Sequence, residues 1–215
     1  MEDIEVAKQL RKPEGEAGKK IAEKMNETNQ LIYNLTFDAM DNWESQKILE
    51  IGFGNGNFIS HVINSFKNVY YKGLDFSATM VEEANIRNKD FILSGQVELK
   101  KGESSSIPYP DVTFDKVFTI NTLYFWENPE NDLNEIYRVL KSDGMFYLSI
   151  RTKDKMKNLP FTQYNFQLYN PEEATEVLEK SGFNIINKIY KIEPIRMING
   201  VEVLVDSLCI VAQKQ

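Results

Sequence analysis

The chain has 215 residues, 42% of them hydrophobic and 27% charged, enough for one domain with a substantial core and too apolar for wholesale disorder. Asp plus Glu outnumber Lys plus Arg by 32 to 25, a net charge of −7, which argues against gripping duplex DNA or structured RNA by its phosphates. The single cysteine, Cys209, excludes an internal disulfide, a thiolate metal site and a CxxC redox pair, and the single histidine, His61, excludes His-rich metal centres.

The opening stretch MEDIEVAKQLRKPEGEAGKK is charged throughout and lacks a signal-peptide core. No apolar run approaches the length of a membrane span, so a cytoplasmic protein with no membrane partner is expected. Residues 1–45 read as a helical cover broken near Pro13–Gly18. After the break, Ile21, Met25, Thr28, Ile32, Leu35 and Ala39 recur at spacings of three or four, the stripe of an amphipathic helix. That helix suits packing on its own sheet or a dimer interface, so both monomer and homodimer stay open.

From Lys47 the pattern changes to alternating strands and helices. Lys47–Ile51 is a strand running into a glycine loop, and Asn57–Ser65 is a helix. Val69–Leu74 is a second strand, followed by a helix over Ser77–Arg87 with Ser77 as its N-cap. Val97–Lys100 and Phe114–Ile120 are further strands. Pro129 opens a helix through Leu140, and Gly144–Ile150 is the fifth strand. Arg151–Asn170 is irregular and aromatic, long enough to imply a functional connection. Pro171–Ser181 is a helix stopped by Gly182, and Phe183–Tyr190 and Val203–Ala212 close the chain as strands. Lys191–Glu202 between them shows no crossover helix, so the last strand is expected to run antiparallel. The expected fold is α/β and Rossmann-like: a mostly parallel seven-stranded sheet, helices on both faces, and an N-terminal helical extension. No linker divides it. Residues 1–215 form one domain, with 46–215 as its core.

Two features carry chemistry. In Glu50-Ile-Gly-Phe-Gly-Asn-Gly-Asn57, glycines alternate between a strand and a helix, where a missing Cβ lets a ligand lie against the backbone. A GxGxxG dinucleotide fingerprint needs glycine where Asn57 stands, which weighs against a nicotinamide cofactor and leaves an oxidoreductase as the lesser alternative. Asp75 ends the second strand, 19 positions after Gly56, where a carboxylate meets ribose hydroxyls in nucleotide-binding βαβ units; it also suits flanking the helix that starts near Ser77.

Together ILEIGFGNGNF, YKGLDFSATMVEEA, KKGESSSIPYPDVTFDKVF and RVLKSDGMFYLSI resemble, in order and spacing, the motifs of class I S-adenosylmethionine-dependent methyltransferases. The resemblance covers Lys47–Arg151 by motif and the rest by element order. Within that superfamily the chain looks like the small-molecule branch that includes ubiquinone and menaquinone biosynthesis enzymes. The resemblance implies S-adenosylmethionine as cofactor, S-adenosylhomocysteine as product and methyl transfer to a small organic acceptor. A non-catalytic protein that keeps the cofactor fold is the alternative. Carried over by position, Glu50 orients the loop or the cofactor's amino group, and Gly52, Phe53, Gly54 and Gly56 admit its methionine portion. Asp75 holds the ribose, Phe76 and Met80 flank the adenine, and Gly102, Glu103 and Ser104 frame the adenine edge. Asn121 stands near the transferred methyl.

The acceptor side offers less. The Asn/Asp-Pro-Pro-aromatic motif of nucleobase amine methyltransferases is replaced by Asn121-Thr-Leu-Tyr124, and one cysteine is too few for arsenite methylation. Tyr124, Phe125 and Trp126 follow the fourth strand, at the edge where open α/β sheets bind ligands, and suit either an acceptor ring or ordinary packing. Tyr33 and the aromatic residues Phe161, Tyr164, Phe166 and Tyr169 suit a lid. Arg151 suits an acidic acceptor or an ion pair. His61 reads as a packing or surface residue, and no general base is assigned. The candidate acceptor contacts are Tyr33, Tyr124, Trp126, Arg151 and Tyr164.

Overall fold

A computed structural model of the protein describes residues 1–40, 44–198 and 201–215. Positions 41–43 of the expected helical cover, and 199–200 of the connection before the last strand, lie outside the described residues.

Two helices open the chain, α1 (Asp3–Arg11) and α2 (Gly15–Ala39). They meet at Pro13, whose missing N–H ends the helical ladder. At Gly18 a Cβ would come 2.6 Å from the Pro13 carbonyl carbon, so only glycine lets the two helices fold back this closely. Then follow β1 (Lys47–Ile51), α3 (Ile59–Ser65), β2 (Tyr70–Asp75), α4 (Ala78–Arg87), α5 (Lys89–Leu93), β3 (Val97–Lys101) and β4 (Phe114–Ile120). A 3-10 turn at Leu123–Phe125 leads to α6 (Pro129–Val139) and β5 (Leu140–Ile150). Next come α7 (Lys153–Met156), a 3-10 turn at Pro160–Gln163, α8 (Pro171–Lys180), β6 (Phe183–Ile192), β7 (Arg196–Ile198), β8 (Val201–Val203) and β9 (Asp206–Lys214).

Seven strands form one sheet in the order β3-β2-β1-β4-β5-β9-β6. Every pairing from β3 through β5 is parallel, and β9 lies antiparallel between β5 and β6. The Rossmann-like expectation therefore holds, including the reversed last strand. Side chains alternate across the sheet. Leu49, Val117 and Leu148 face a layer built with α6 and α8, whereas Ile48, Phe118 and Cys209 face α2 and α3.

The differences lie at the margins. β5 starts at Leu140 rather than Gly144, because Leu140 pairs with Phe114 before a register shift. Five-residue α5 is too short to show a helical period. β7 and β8 form a separate antiparallel pair within the expected connection, and Arg151–Asn170 holds one short helix and one 3-10 turn. The sheet order reverses between β1 and β4, and at such a switch point the carboxyl ends of the strands part to leave a crevice.

Candidate functional site

The crevice is a cavity of about 1060 Å³. Its floor is the β1–α3 loop and the ends of β2 and β4, and α1 and α2 cover it. In the loop, Gly54 has φ +58 and faces open space, so a side chain there would be strained and would project into the free volume. Gly56 is glycine for another reason. A Cβ would sit 2.7 Å from Asn88 Nδ2 and 2.8 Å from the Ala84 Cβ, so the residue packs the loop onto α4 and does not line the cavity.

Asp75 ends β2 and binds the loop to the next helix. One carboxylate oxygen accepts the Gly54 N–H and the other the Ser77 N–H, both at 2.9 Å. Burial pushes its pKa up to about 6 against the pull of those two bonds. A carboxylate accepts about four hydrogen bonds, so capacity remains toward the cavity that Asp75 lines. Ser77 caps α4 as expected, accepting the Met80 N–H at 3.2 Å, and also donates to the Pro13 carbonyl. Phe53, Phe76, Met80, Gly102, Glu103 and Ser104 share the same wall with Gly52. The Gly102 N–H donates to the Asp75 carbonyl at 3.0 Å, and Ser104 hydrogen-bonds Asp132 of α6.

Glu50 lies beneath this wall rather than on it. It is 1% exposed, and its two oxygens accept the hydroxyls of Tyr33, at 2.7 Å, and Tyr71. Burial raises its pKa to about 7, opposed by the two hydroxyl donors. Tyr33 lines the cavity and stacks on Phe58 at 3.7 Å between centroids. The pair thus latches α2 onto β1.

At the other end, Asn121 has φ 57, a left-handed conformation that Asn tolerates better than most residues. It lines the cavity with Trp126. Tyr124, Arg151 and Tyr164 do not line it. The Tyr124 hydroxyl is turned inward, 3.0 Å from both Asn121 Oδ1 and the Arg151 carbonyl, and accepts the Arg151 N–H at 2.5 Å. The Arg151 guanidinium donates through its two terminal nitrogens to buried Glu193 at 3.0 Å, the Thr28 carbonyl at 2.8 Å and Asn29 Oδ1 at 2.8 Å, while its Nε is buried without a partner among the described residues. Tyr164 lies in the turn after Pro160–Gln163, where its N–H donates to the Phe161 carbonyl. Of the aromatic residues expected as a lid, Tyr33 lines the cavity, whereas Phe161, Tyr164, Phe166 and Tyr169 do not: Phe166 packs 4.7 Å from Phe125 and 5.9 Å from Tyr124, with Phe161 behind it, and the cover is made by α1 and α2. His61 is exposed and stacks on Phe37, away from the cavity.

Sequence reasoning named Tyr33 and the helical cover but missed the rest of the α2 face of the cavity. Ala22, Met25, Asn26, Asn29 and Tyr33 recur at helical spacing and all line it. Their signal was a pair of amides on an otherwise apolar stripe, which reads as solvent-facing until the covered face is known. The cover is tied down on both banks: Arg11 pairs with Glu127 at 2.7 Å, the Gly15 N–H donates to Thr79 Oγ1 at 3.2 Å, and Lys19 pairs with Glu83 at 3.2 Å.

This geometry suits a nucleoside carrying a charged chain: bare backbone at Gly54, an acid with spare lone pairs, and apolar Phe76 and Met80 beside it. Among known proteins, the methyltransferase domain profile matches residues 49–148. YrhH of Bacillus subtilis (strain 168), named as a methyltransferase, is 35% identical over 132 residues, 61% of this chain and 72% of its own. The fatty-acid O-methyltransferase of Mycolicibacterium smegmatis is 26% identical over 58% of this chain and 44% of its own. A SAM-dependent methyltransferase structure from Aquifex aeolicus shares the fold at a TM-score of 0.69, with 19% identity over 91% of this chain and 98% of its own. The relatedness to YrhH, reached after a fold and a loop that point the same way, settles the family: the chain belongs to the class I S-adenosylmethionine-dependent methyltransferases.

Proposed function

We propose that the protein transfers a methyl group to a small organic acceptor held beside the cofactor in this one cavity. The observation that carries this reading is continuity. The wall made by Gly54, Asp75 and Phe76 runs without a break to Asn121, Phe125 and Trp126 under the same helical cover. When bound, S-adenosylmethionine supplies an electrophilic methyl on a sulfonium, displaced in line with the bond to sulfur.

The chain's own task is alignment and exclusion of water. Asp75 receives the ribose hydroxyls on its free lone pairs, while the Gly54 and Ser77 N–H groups hold the carboxylate in place. Gly52 and Gly54 admit the methionine portion, and Phe76 and Met80 flank the base, with Gly102, Glu103 and Ser104 along its edge. Glu50 acts indirectly, by setting Tyr33 and the pitch of α2. Tyr33 and Trp126 touch the acceptor. Tyr124 and Arg151 serve it from behind the wall.

Calorimetric titration with S-adenosylmethionine, S-adenosylhomocysteine and NAD tests this reading. Binding of the first two and not of NAD is expected, followed by methyl transfer to a member of an acceptor screen. Binding of NAD alone overturns it, and cofactor binding without any turnover favours a non-catalytic role.

A further inference from the structure

Two amides at the acceptor end have their orientation dictated by one buried cation. The Arg151 guanidinium can only donate, so the Asn29 atom 2.8 Å from it must be the carbonyl oxygen. The Asn121 atom 3.2 Å from that same oxygen must then be its NH2, which turns Asn121 Oδ1 to the Tyr124 hydroxyl. Arg151 is held in this role by Glu193, itself 2% exposed and bonded also to the Ser207 hydroxyl at 2.6 Å. The consequence falls on Asn29. Its oxygen is used twice by protein, and its Nδ2 has no hydrogen-bond partner among the described residues, although Asn29 lines the cavity.

We propose that Asn29 recognises the methyl acceptor by donating from Nδ2 to an anionic oxygen, that of a carboxylate carried on an apolar body. Arg151 and Glu193 are positioning residues that present this donor. The inference rests on the acceptor sharing the cavity with the cofactor, as proposed above. The other groups on this side of the cavity agree with it. Ile21, Met25, Phe125 and Trp126 supply apolar walls, Asn26 and Asn121 add neutral amides, and the charges beside Trp126, Arg11 and Glu127, pair with each other at 2.7 Å. A carboxylate reaches such a site already ionised at neutral pH and needs no protein base.

The test uses Asn29→Asp. The new side chain keeps an oxygen for Arg151 and Asn121 but replaces the cavity-facing donor with a second acceptor, so fold and network persist while the polarity of the site inverts. Decanoate and decylamine are titrated into the full chain saturated with S-adenosylhomocysteine, for the wild type, Asn29→Asp and Asn29→Ala. The wild type is expected to bind decanoate in preference to the amine. Asn29→Ala is expected to weaken decanoate roughly tenfold or more, as for a lost hydrogen bond to a charged group, and Asn29→Asp to reverse the preference. The inference is overturned if the wild type ignores decanoate, or if Asn29→Asp and Asn29→Ala bind it as the wild type does. It also fails if the variants lose S-adenosylhomocysteine instead, since the donor then faces the cofactor. A wild type that takes up no S-adenosylhomocysteine refutes the methyltransferase site itself, a separate failure read in the first titration.

Discussion

Glu50 makes the sharpest demand on the energetics. Its carboxyl is buried between two tyrosine hydroxyls, and burial outweighs their donation, lifting its pKa from 4.5 to about 7. A carboxyl that holds its proton more tightly when folded stabilises the fold fully below its unfolded pKa. That contribution is lost as pH rises through the folded value. Between about pH 4.5 and 7 the loss amounts to about 3 kcal/mol. Glu50→Gln removes the titration yet keeps an acceptor for Tyr33 and a donor for Tyr71, whose hydroxyl turns to accept. The wild type should therefore lose stability relative to the variant as pH rises from 5 to 8, by up to about 3 kcal/mol. Asp75 titrates in the same direction, near 6, in both proteins; its charge also helps raise Glu50, so the difference reads Glu50 together with that coupling. Urea unfolding of both proteins at half-unit steps of pH measures it. A difference independent of pH would refute the reasoning, because the two hydroxyls would then fully offset burial.

Asp75→Ala should weaken S-adenosylhomocysteine about a hundredfold, the worth of two hydrogen bonds to a charged group, and calorimetry checks it. The structure predicts a lower melting temperature as well, since the Gly54 and Ser77 N–H groups lose their acceptor, and an unchanged affinity would move the ribose elsewhere. Gly54→Val should abolish cofactor binding while the fold survives, at a strain of about 1–3 kcal/mol; intact binding would sink the loop assignment. Gly56→Ala should do the reverse, lowering thermal stability because its Cβ meets Asn88 and Ala84. Arg11→Ala should change stability by less than about 1 kcal/mol, as its partner Glu127 is exposed, yet speed release of S-adenosylhomocysteine in stopped flow. An unchanged release rate would mean that the Arg11 tether does not govern exit.

Much of the fold was legible because its signals are local. Buried parallel strands such as Lys47–Ile51 and Phe114–Ile120 announce themselves as short apolar runs, and Ser77 and Pro129 mark helix starts by their own chemistry. What escaped was short or set by partners far along the chain. Leu140 joins β5 because Phe114 is there to receive it, and no feature of Leu140 itself says so. The cavity wall at the ends of β1 and β2 was legible for a similar reason. Gly54 and Asp75 sit at strand ends, and a loop of alternating glycines has few other uses.

The acceptor half was not, and the physical cause is distance in sequence. Asn29 and Asn121 meet across 92 positions, and Asn29 and Arg151 across 122. A cation at the end of β5 suited either a direct ligand for an acidic acceptor or an ion pair, and Arg151 makes the ion pair, with buried Glu193. Folding places it behind the wall, where exposure to the acceptor is exchanged for control of an amide. That arrangement has a physical advantage. A guanidinium facing the cavity would repel a sulfonium across a space of low dielectric, whereas one neutralised by Glu193 leaves only the weaker dipole of Asn29 in view. A site that must hold a cationic cofactor and an anionic acceptor side by side is better served by oriented neutral donors than by a free positive charge. Asn29 of α2 supplies one only once Arg151 has fixed which way it points.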